Sequence, residues 1–249
     1  MELFENERCD EVNDRLRLIQ RTDGLTFGTD ALLLAAYIGG GYKSAVELGG
    51  GTGIVSMLAA TREKAARVLC AEVQPEFAEL IRRNIELNSL RDKITVHEGD
   101  IRDLTPEREA ELVFSNPPYM KTDTGRANLS GAKNIARHEV FGSIADFTTA
   151  AARLVKYGGD AVFVYRTDRA CDLIYEMRRA RLEPKRLTLV YADAKSEPSM
   201  LLVEGRRGGG VGLKLTRPLI IYTDPTHTAY GMDMEYIMNT GYFPKEFYR

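Results

Sequence analysis

Along most of the chain, short apolar runs alternate with stretches whose apolar residues recur every three or four positions, the pattern of alternating strands and helices. The runs at 45–48, 67–72, 94–97, 111–115 and 161–165 are each of strand length and buried character. Residues 54–61 follow the first run as a helix. Pro75 suits the first turn of the next helix, whose buried face is Phe77, Leu80, Ile81 and Ile85. Ser143 is placed to cap a helix that buries Ile144, Phe147, Ala151 and Leu154, and a further helix is expected near 168–180. Strand–helix alternation of this kind implies an α/β domain with a mostly parallel sheet.

The pattern then changes. Residues 186–191 and 200–204 read as two strands with Ser196 and Pro198 between them and no helix, so they should pair as an antiparallel hairpin. Ahead of the first parallel strand, 14–19 alternates weakly and 29–37 reads as a short helix. Residues 122–137 are polar, contain glycine and lack periodicity, as functional or mobile long loops do. The tail after Arg217 is aromatic but without pattern. The expected organisation is one domain over 1–249: an N-terminal cap segment (1–42), a core (43–206) and a C-terminal extension (207–249).

Bulk composition narrows the function classes. Of 249 residues, 44% are hydrophobic and 28% charged, with a formal net charge of −2. That balance excludes a protein that coats nucleic acid without specificity, while leaving a local basic patch open. Cys9, Cys70 and Cys171 are far apart and show no paired spacing, so free thiols in a reducing compartment are expected. The N-terminus is too charged for a secretion signal, and no apolar run reaches the roughly 20 residues of a membrane span. A soluble cytoplasmic protein is expected, with no membrane or obligate protein partner.

Four constellations carry candidate chemistry. Glu47-Leu-Gly49-Gly50-Gly51-Thr52-Gly53 follows a strand and opens a helix, where glycines allow a tight turn and close approach of a ligand to the backbone. No Gly-Lys-Ser/Thr closes it as a P-loop. Its acidic first residue would repel a pyrophosphate but accept from an ammonium, a difference that favours S-adenosylmethionine over a dinucleotide. The unbroken Gly49–Gly51 run is expected to loosen the turn without abolishing binding. Glu72 ends the second parallel strand, where an acid can accept from both ribose hydroxyls or be a plain surface carboxylate. Asp100, with Ile101 after it, follows the third strand; it can accept from an adenine amino group or simply cap a turn. These sites fall at successive strand ends, where open α/β sheets bind ligands.

The fourth constellation, Ser115-Asn116-Pro117-Pro118-Tyr119, follows the fourth strand. Two prolines remove N–H donors and fix the backbone. The Asn116 carbonyl and a backbone carbonyl can then both face one NH2 group, drawing a planar, weakly nucleophilic amine toward tetrahedral geometry and stabilising the charge that develops on it. Tyr119 offers a face for stacking a planar group.

Together the Glu-x-Gly-x-Gly-x-Gly turn and Asn116-Pro117-Pro118-Tyr119 resemble the amino-methyltransferases, a group acting on adenine N6, guanine N2 or glutamine N5. Within that group, Phe27-Gly28-Thr29-Asp30-Ala31-Leu32-Leu33-Leu34-Ala35 is similar to the tRNA(Val) adenine-N6 methyltransferase family, as are Ala136-Arg137-His138-Glu139, Glu197-Pro198-Ser199-Met200 and Pro218-Leu219-Ile220-Ile221-Tyr222. The resemblance implies a Rossmann-like class I methyltransferase with a seven-stranded, mostly parallel sheet ending in an antiparallel hairpin. It implies S-adenosylmethionine as cofactor, no metal, and a transiently bound tRNA methylated just 3′ of the anticodon. Gly28 and Thr29 would lie over the methionine part of the cofactor and Glu47, Gly49, Gly51 and Gly53 beneath it. Glu72 would meet the ribose, Asp100 and Ile101 the adenine. Asn116, Pro117 and Tyr119 would form the catalytic set, with Asn116 also facing the cofactor. Lys121, Arg126, Lys133 and Arg137 are candidate phosphate contacts. The rival readings are a glutamine-N5 protein methyltransferase, a guanine-N2 rRNA methyltransferase, and a degenerate module that binds the cofactor without turnover.

Overall fold

The computed structural model describes residues 3–23, 27–105, 107–118 and 142–248. It opens with an antiparallel hairpin, β1 (Glu7–Asn13) and β2 (Leu16–Arg21), that forms a sheet of its own. Only 14–19 hinted at this hairpin in the sequence; the chain turns at Asp14–Arg15 and extends on both sides of it. Then follow α1 (Thr29–Tyr37), β3 (Tyr42–Leu48), α2 (Ile54–Thr61), β4 (Ala65–Glu72), α3 (Pro75–Leu87), β5 (Ile94–Glu98) and β6 (Ala110–Ser115). After residue 141 come α4 (Ile144–Leu154), β7 (Val155–Arg166), α5 (Ala170–Arg179), β8 (Leu182–Tyr191) and β9 (Pro198–Arg207).

Strands β3 to β7 pair in parallel in the order β5–β4–β3–β6–β7, and β9 and β8 extend the sheet as an antiparallel hairpin beyond β7. These are the seven strands expected. The tail adds two more, β10 (Lys214–Leu215) and β11 (Leu219–Ile220), both parallel to the outer edge of β8. Each is two residues long, too short to leave a periodic signal. Because β4 and β6 lie on opposite sides of β3, the direction of winding reverses there. That switch point opens a crevice at the carboxyl ends of β3 and β6.

Two apolar layers sandwich the sheet. Helix α2 is buried from Ile54 to Ala60, because α1 and the N-terminal hairpin cover the side that the sheet does not. Helices α4 and α5 cover the other face through Phe147, Ala151, Leu154, Leu173 and Met177. Ser143 caps α4 as expected, its hydroxyl accepting from the Asp146 N–H.

The tail is part of the core. Helix α6 (Met232–Thr240) buries Met234 and Ile237, and Phe243 and Phe247 follow it inward. Phe243 meets Tyr37 edge to face, with ring centres 5.1 Å apart. Lys64 is wholly buried; its side-chain nitrogen donates to the carbonyls of Ala36 and Ile38 at the end of α1 and lies over the Tyr242 ring. This satisfies carbonyls that the helix end leaves unpaired. The three cysteines are free thiols, and among the described residues no helix is long and apolar enough to cross a membrane.

Candidate active site

The register between β3 and β6 sets Leu48 opposite Ser115, and the Ser115 hydroxyl donates to the Leu48 carbonyl at 2.7 Å. The next residue on each strand is Gly49 and Asn116. The glycine turn and the asparagine therefore leave the sheet side by side, about one strand spacing (~4.8 Å) apart, at the switch point.

The turn has a packed side and an open side. Gly49, Gly51 and Gly53 have φ of 74°, 57° and 80°, in the left-handed region that glycine tolerates. The Gly49 and Gly50 amides both donate to the Ala71 carbonyl, at 2.9 and 3.0 Å. Cβ atoms at Gly50 and Gly53 would press into Cys70 and Ile81, whereas one at Gly51 would meet nothing within 4 Å. The expected loosening at Gly50 is not what the fold shows: Gly50 is buried, and its missing side chain is what lets the turn seat against β4.

Glu72 lies at the end of β4, 4% exposed. One carboxylate oxygen accepts from the Gly51 amide and the other from the Gln74 amide, both at 2.9 Å. A carboxylate has about four acceptor positions, so these bonds hold Glu72 in place without exhausting it. Glu47 sits beneath the turn, accepting from the Ser56 amide at 3.0 Å and from the Ser56 hydroxyl. Burial pushes its carboxyl up to about 7, against the opposing effect of the Ser56 bonds.

The Gly99 amide donates to the Glu72 carbonyl, so the ends of β4 and β5 run together and bring Asp100 to the same rim. The turn-capping reading of Asp100 is the one seen there. It caps a turn through the Arg102 amide at 2.8 Å, and the Arg102 guanidinium clasps its two oxygens. Those bonds hold its carboxyl below the usual carboxylate range. Ile101 is buried in the core beneath, and its carbonyl accepts from Arg153 at 2.7 Å.

Asn116 is half-buried and Pro117 buried behind it. The Asn116 Nδ2 donates to Asp30 Oδ2 at 2.8 Å, across 86 residues of sequence. Asp30 stands in the first turn of α1, directly after Gly28 and Thr29. The same segment is tethered from behind, where the Phe27 amide donates to the buried side chain of Gln20 on β2 at 2.9 Å. The structure thus gathers Gly28, Glu47, Gly49, Gly51, Gly53, Glu72, Asp100 and Asn116 along one edge of the sheet. Asp30 and Gln20 were not singled out by sequence. An acid in the first turn of a helix has an ordinary explanation in helix polarity, and nothing local marks its distant partner. Tyr119, Lys121, Arg126, Lys133, Arg137 and His138 lie outside the described residues. Among the described residues, no group of three His, Cys, Asp or Glu side chains is arranged to hold a metal ion.

Comparisons with known proteins bear on the family and the fold. Residues 40–139 match the model of the TRM5/TYW2 methyltransferase domain. A Porphyromonas gingivalis protein named tRNA1(Val) (adenine(37)-N6)-methyltransferase is 31% identical over 189 residues, covering 72% of this chain and 73% of the relative. Among solved structures, a predicted O-methyltransferase of Agrobacterium tumefaciens superposes with a TM-score of 0.70 at 23% identity, over 86% of this chain and 98% of the other. TYW2 of P. horikoshii in complex with MeSAdo superposes with a TM-score of 0.58 at 15% identity, over 83% and 73%. At such identities the structural likeness establishes the class I methyltransferase fold.

Proposed function

We propose that this chain, which belongs to the tRNA1(Val) (adenine(37)-N6)-methyltransferase family, transfers a methyl group from S-adenosylmethionine to the exocyclic N6 of an adenine in tRNA, beside the anticodon. The observation that carries the reading is the adjacency of Asn116 and the glycine turn at the switch point of the sheet.

S-adenosylmethionine supplies a methyl group on a sulfonium, already activated for attack by a nitrogen. The site suits such a molecule. The open side of the turn at Gly51 leaves room against the backbone, and no lysine closes the turn for a phosphate. Gly49, Gly51 and Gly53 shape the bed for the methionine part, with Glu47 beneath and Gly28 and Thr29 above. Glu72 has acceptor positions left for ribose hydroxyls. Asp100 and Ile101 are assigned to the adenine edge.

The acceptor nitrogen is held by Asn116. Its side-chain carbonyl and a neighbouring backbone carbonyl take the two amine hydrogens, turning the nitrogen lone pair out of the ring plane and toward the methyl group. They then stabilise the positive charge that builds on nitrogen as the S–CH3 bond breaks and S-adenosylhomocysteine departs, after which the methylated nitrogen gives its surplus proton to water. Pro117 locks the backbone so that this grip is set before the base arrives. Tyr119 stacks on the base, and Lys121, Arg126, Lys133 and Arg137 bind tRNA phosphates. A loop adenine reaches such a site more cheaply than a paired one, because little stacking is lost on extrusion. We place the reaction in the cytoplasm, with tRNA as a transient partner.

The test is to incubate the protein with isotope-labelled S-adenosylmethionine and a pool of unmodified tRNA, then digest to nucleosides and identify the labelled one by mass spectrometry. N6-methyladenosine in a single tRNA species is expected. Label in N2-methylguanosine, label only in an added protein, or no label despite cofactor binding would each overturn the reading.

A further inference from the structure

Resting on that reading, we propose that Asp30 is a positioning residue for methyl transfer, fixing the Asn116 amide so that its carbonyl oxygen faces the acceptor amine. An asparagine amide is nearly symmetric in shape, and its two ends are opposite in chemistry. With the NH2 end toward the substrate, donor would meet donor and the amine would be repelled. Proline packing cannot choose between the two orientations, because they fill the same space. A carboxylate can. It only accepts, so the 2.8 Å contact between Asp30 Oδ2 and the Asn116 side chain is satisfied only when Nδ2 points to Asp30. The carbonyl end then points away from Asp30.

Asp30 is itself held in place. Its other oxygen accepts from the Ala31 amide at 2.9 Å, in the first helical turn, where a negative charge is favoured. Gly28 makes room for it, since a Cβ there would lie 2.7 Å from Asp30 Oδ1. Gly28 has φ of −115°, so the need for glycine is one of space and not of backbone conformation. The charge contributes a second effect. A carboxylate accepting from one end of an amide raises the electron density at the other end, strengthening Asn116 as an acceptor.

The test uses the full chain with Asp30→Asn, Asp30→Ala, Asn116→Ala and the Asp30→Ala/Asn116→Ala double variant. Thermal melting confirms that each is folded. S-adenosylmethionine affinity and the single-turnover rate on unmodified tRNA are measured for each. Asp30→Asn keeps the shape but loses the charge and the orientation rule, so its transfer rate should fall about 100-fold. Its cofactor affinity should stay within about threefold, the signature of an interaction realised in the transition state. Because Asp30 acts through Asn116, the double variant should be no slower than Asn116→Ala alone. A rate within about threefold of wild type for Asp30→Asn, a parallel loss of rate and cofactor affinity, or fully multiplicative losses in the double variant would each overturn the proposal.

One readout does not depend on turnover. The Asn116 side-chain NH2 signal in a 1H–15N spectrum, assigned by its loss in Asn116→Ala, should shift in Asp30→Ala. An unmoved signal sinks the orientation claim whatever the substrate. Failure of wild type to methylate tRNA, with the signal shifting as expected, would instead sink the functional reading.

Discussion

Cys70 occupies the space that a side chain at Gly50 would need: a methyl carbon on Gly50 would lie 2.3 Å from Cys70 Sγ and 3.0 Å from Ile81 Cδ1. Gly50 has an ordinary φ, so the conflict is purely one of volume. Gly50→Ala should lower unfolding stability by about 1–3 kcal/mol, as overpacking does, and weaken cofactor binding by shifting the turn. Adding Cys70→Ala opens the space and should restore most of both. Urea unfolding and calorimetric titration of the single and double variants check this; a double variant no better than Gly50→Ala would show that the turn is strained for another reason.

Asn84 on α3 joins the hairpin to the glycine turn. Its side chain accepts from the Ile19 amide at 2.7 Å and donates to the carbonyls of Ile19 and Thr52 at 2.9 and 3.1 Å, all out of solvent. Asn84→Ala leaves these backbone groups without their partner, and about 3 kcal/mol of stability should be lost. Denaturant unfolding measures the loss. A change under about 0.5 kcal/mol, the size of an ordinary surface substitution, would contradict the role given to Asn84.

Glu47 should make the ligand-free protein weaken as pH rises toward neutrality. Burial raises its carboxyl from 4.5 to about 7 in the folded state. Between those values the folded chain binds the proton and the unfolded chain does not. The stabilisation is therefore complete below about pH 4.5 and is lost as pH rises through about 7. Glu47→Gln cannot titrate, so the stability of wild type relative to this variant should fall by on the order of 3 kcal/mol across that window. Urea midpoints of both proteins from pH 4.5 to 8 test it, and parallel profiles would show that Glu47 keeps an ordinary carboxyl in the fold.

Much of this architecture is legible in the sequence, for physical reasons. Buried parallel strands such as residues 67–72 have to be apolar runs, and α3 has to show Phe77, Leu80, Ile81 and Ile85 at helical spacing. Glycine at positive φ and a proline pair beside Asn116 are equally visible, because few other residues satisfy those backbones. The tail is illegible for the converse reason. Strands β10 and β11 are two residues each, and Phe243 and Phe247 are buried by folding back onto Tyr37 and not by any local period. The hairpin leaves little trace in the sequence because β1 is mostly polar and only β2 carries a buried run. The tie between Asp30 and Asn116 joins residues 86 apart, and no one-dimensional pattern records it.

The central claim is that Asn116 acts on the acceptor amine and not on the fold or the cofactor. It is tested most directly by measuring, on one preparation of Asn116→Ala, both the dissociation constant for S-adenosylmethionine and the single-turnover rate on unmodified tRNA. The account predicts a rate at least about 100-fold below wild type with cofactor affinity changed by no more than about twofold. A variant that binds the cofactor poorly but transfers methyl at the wild-type rate once saturated would contradict it.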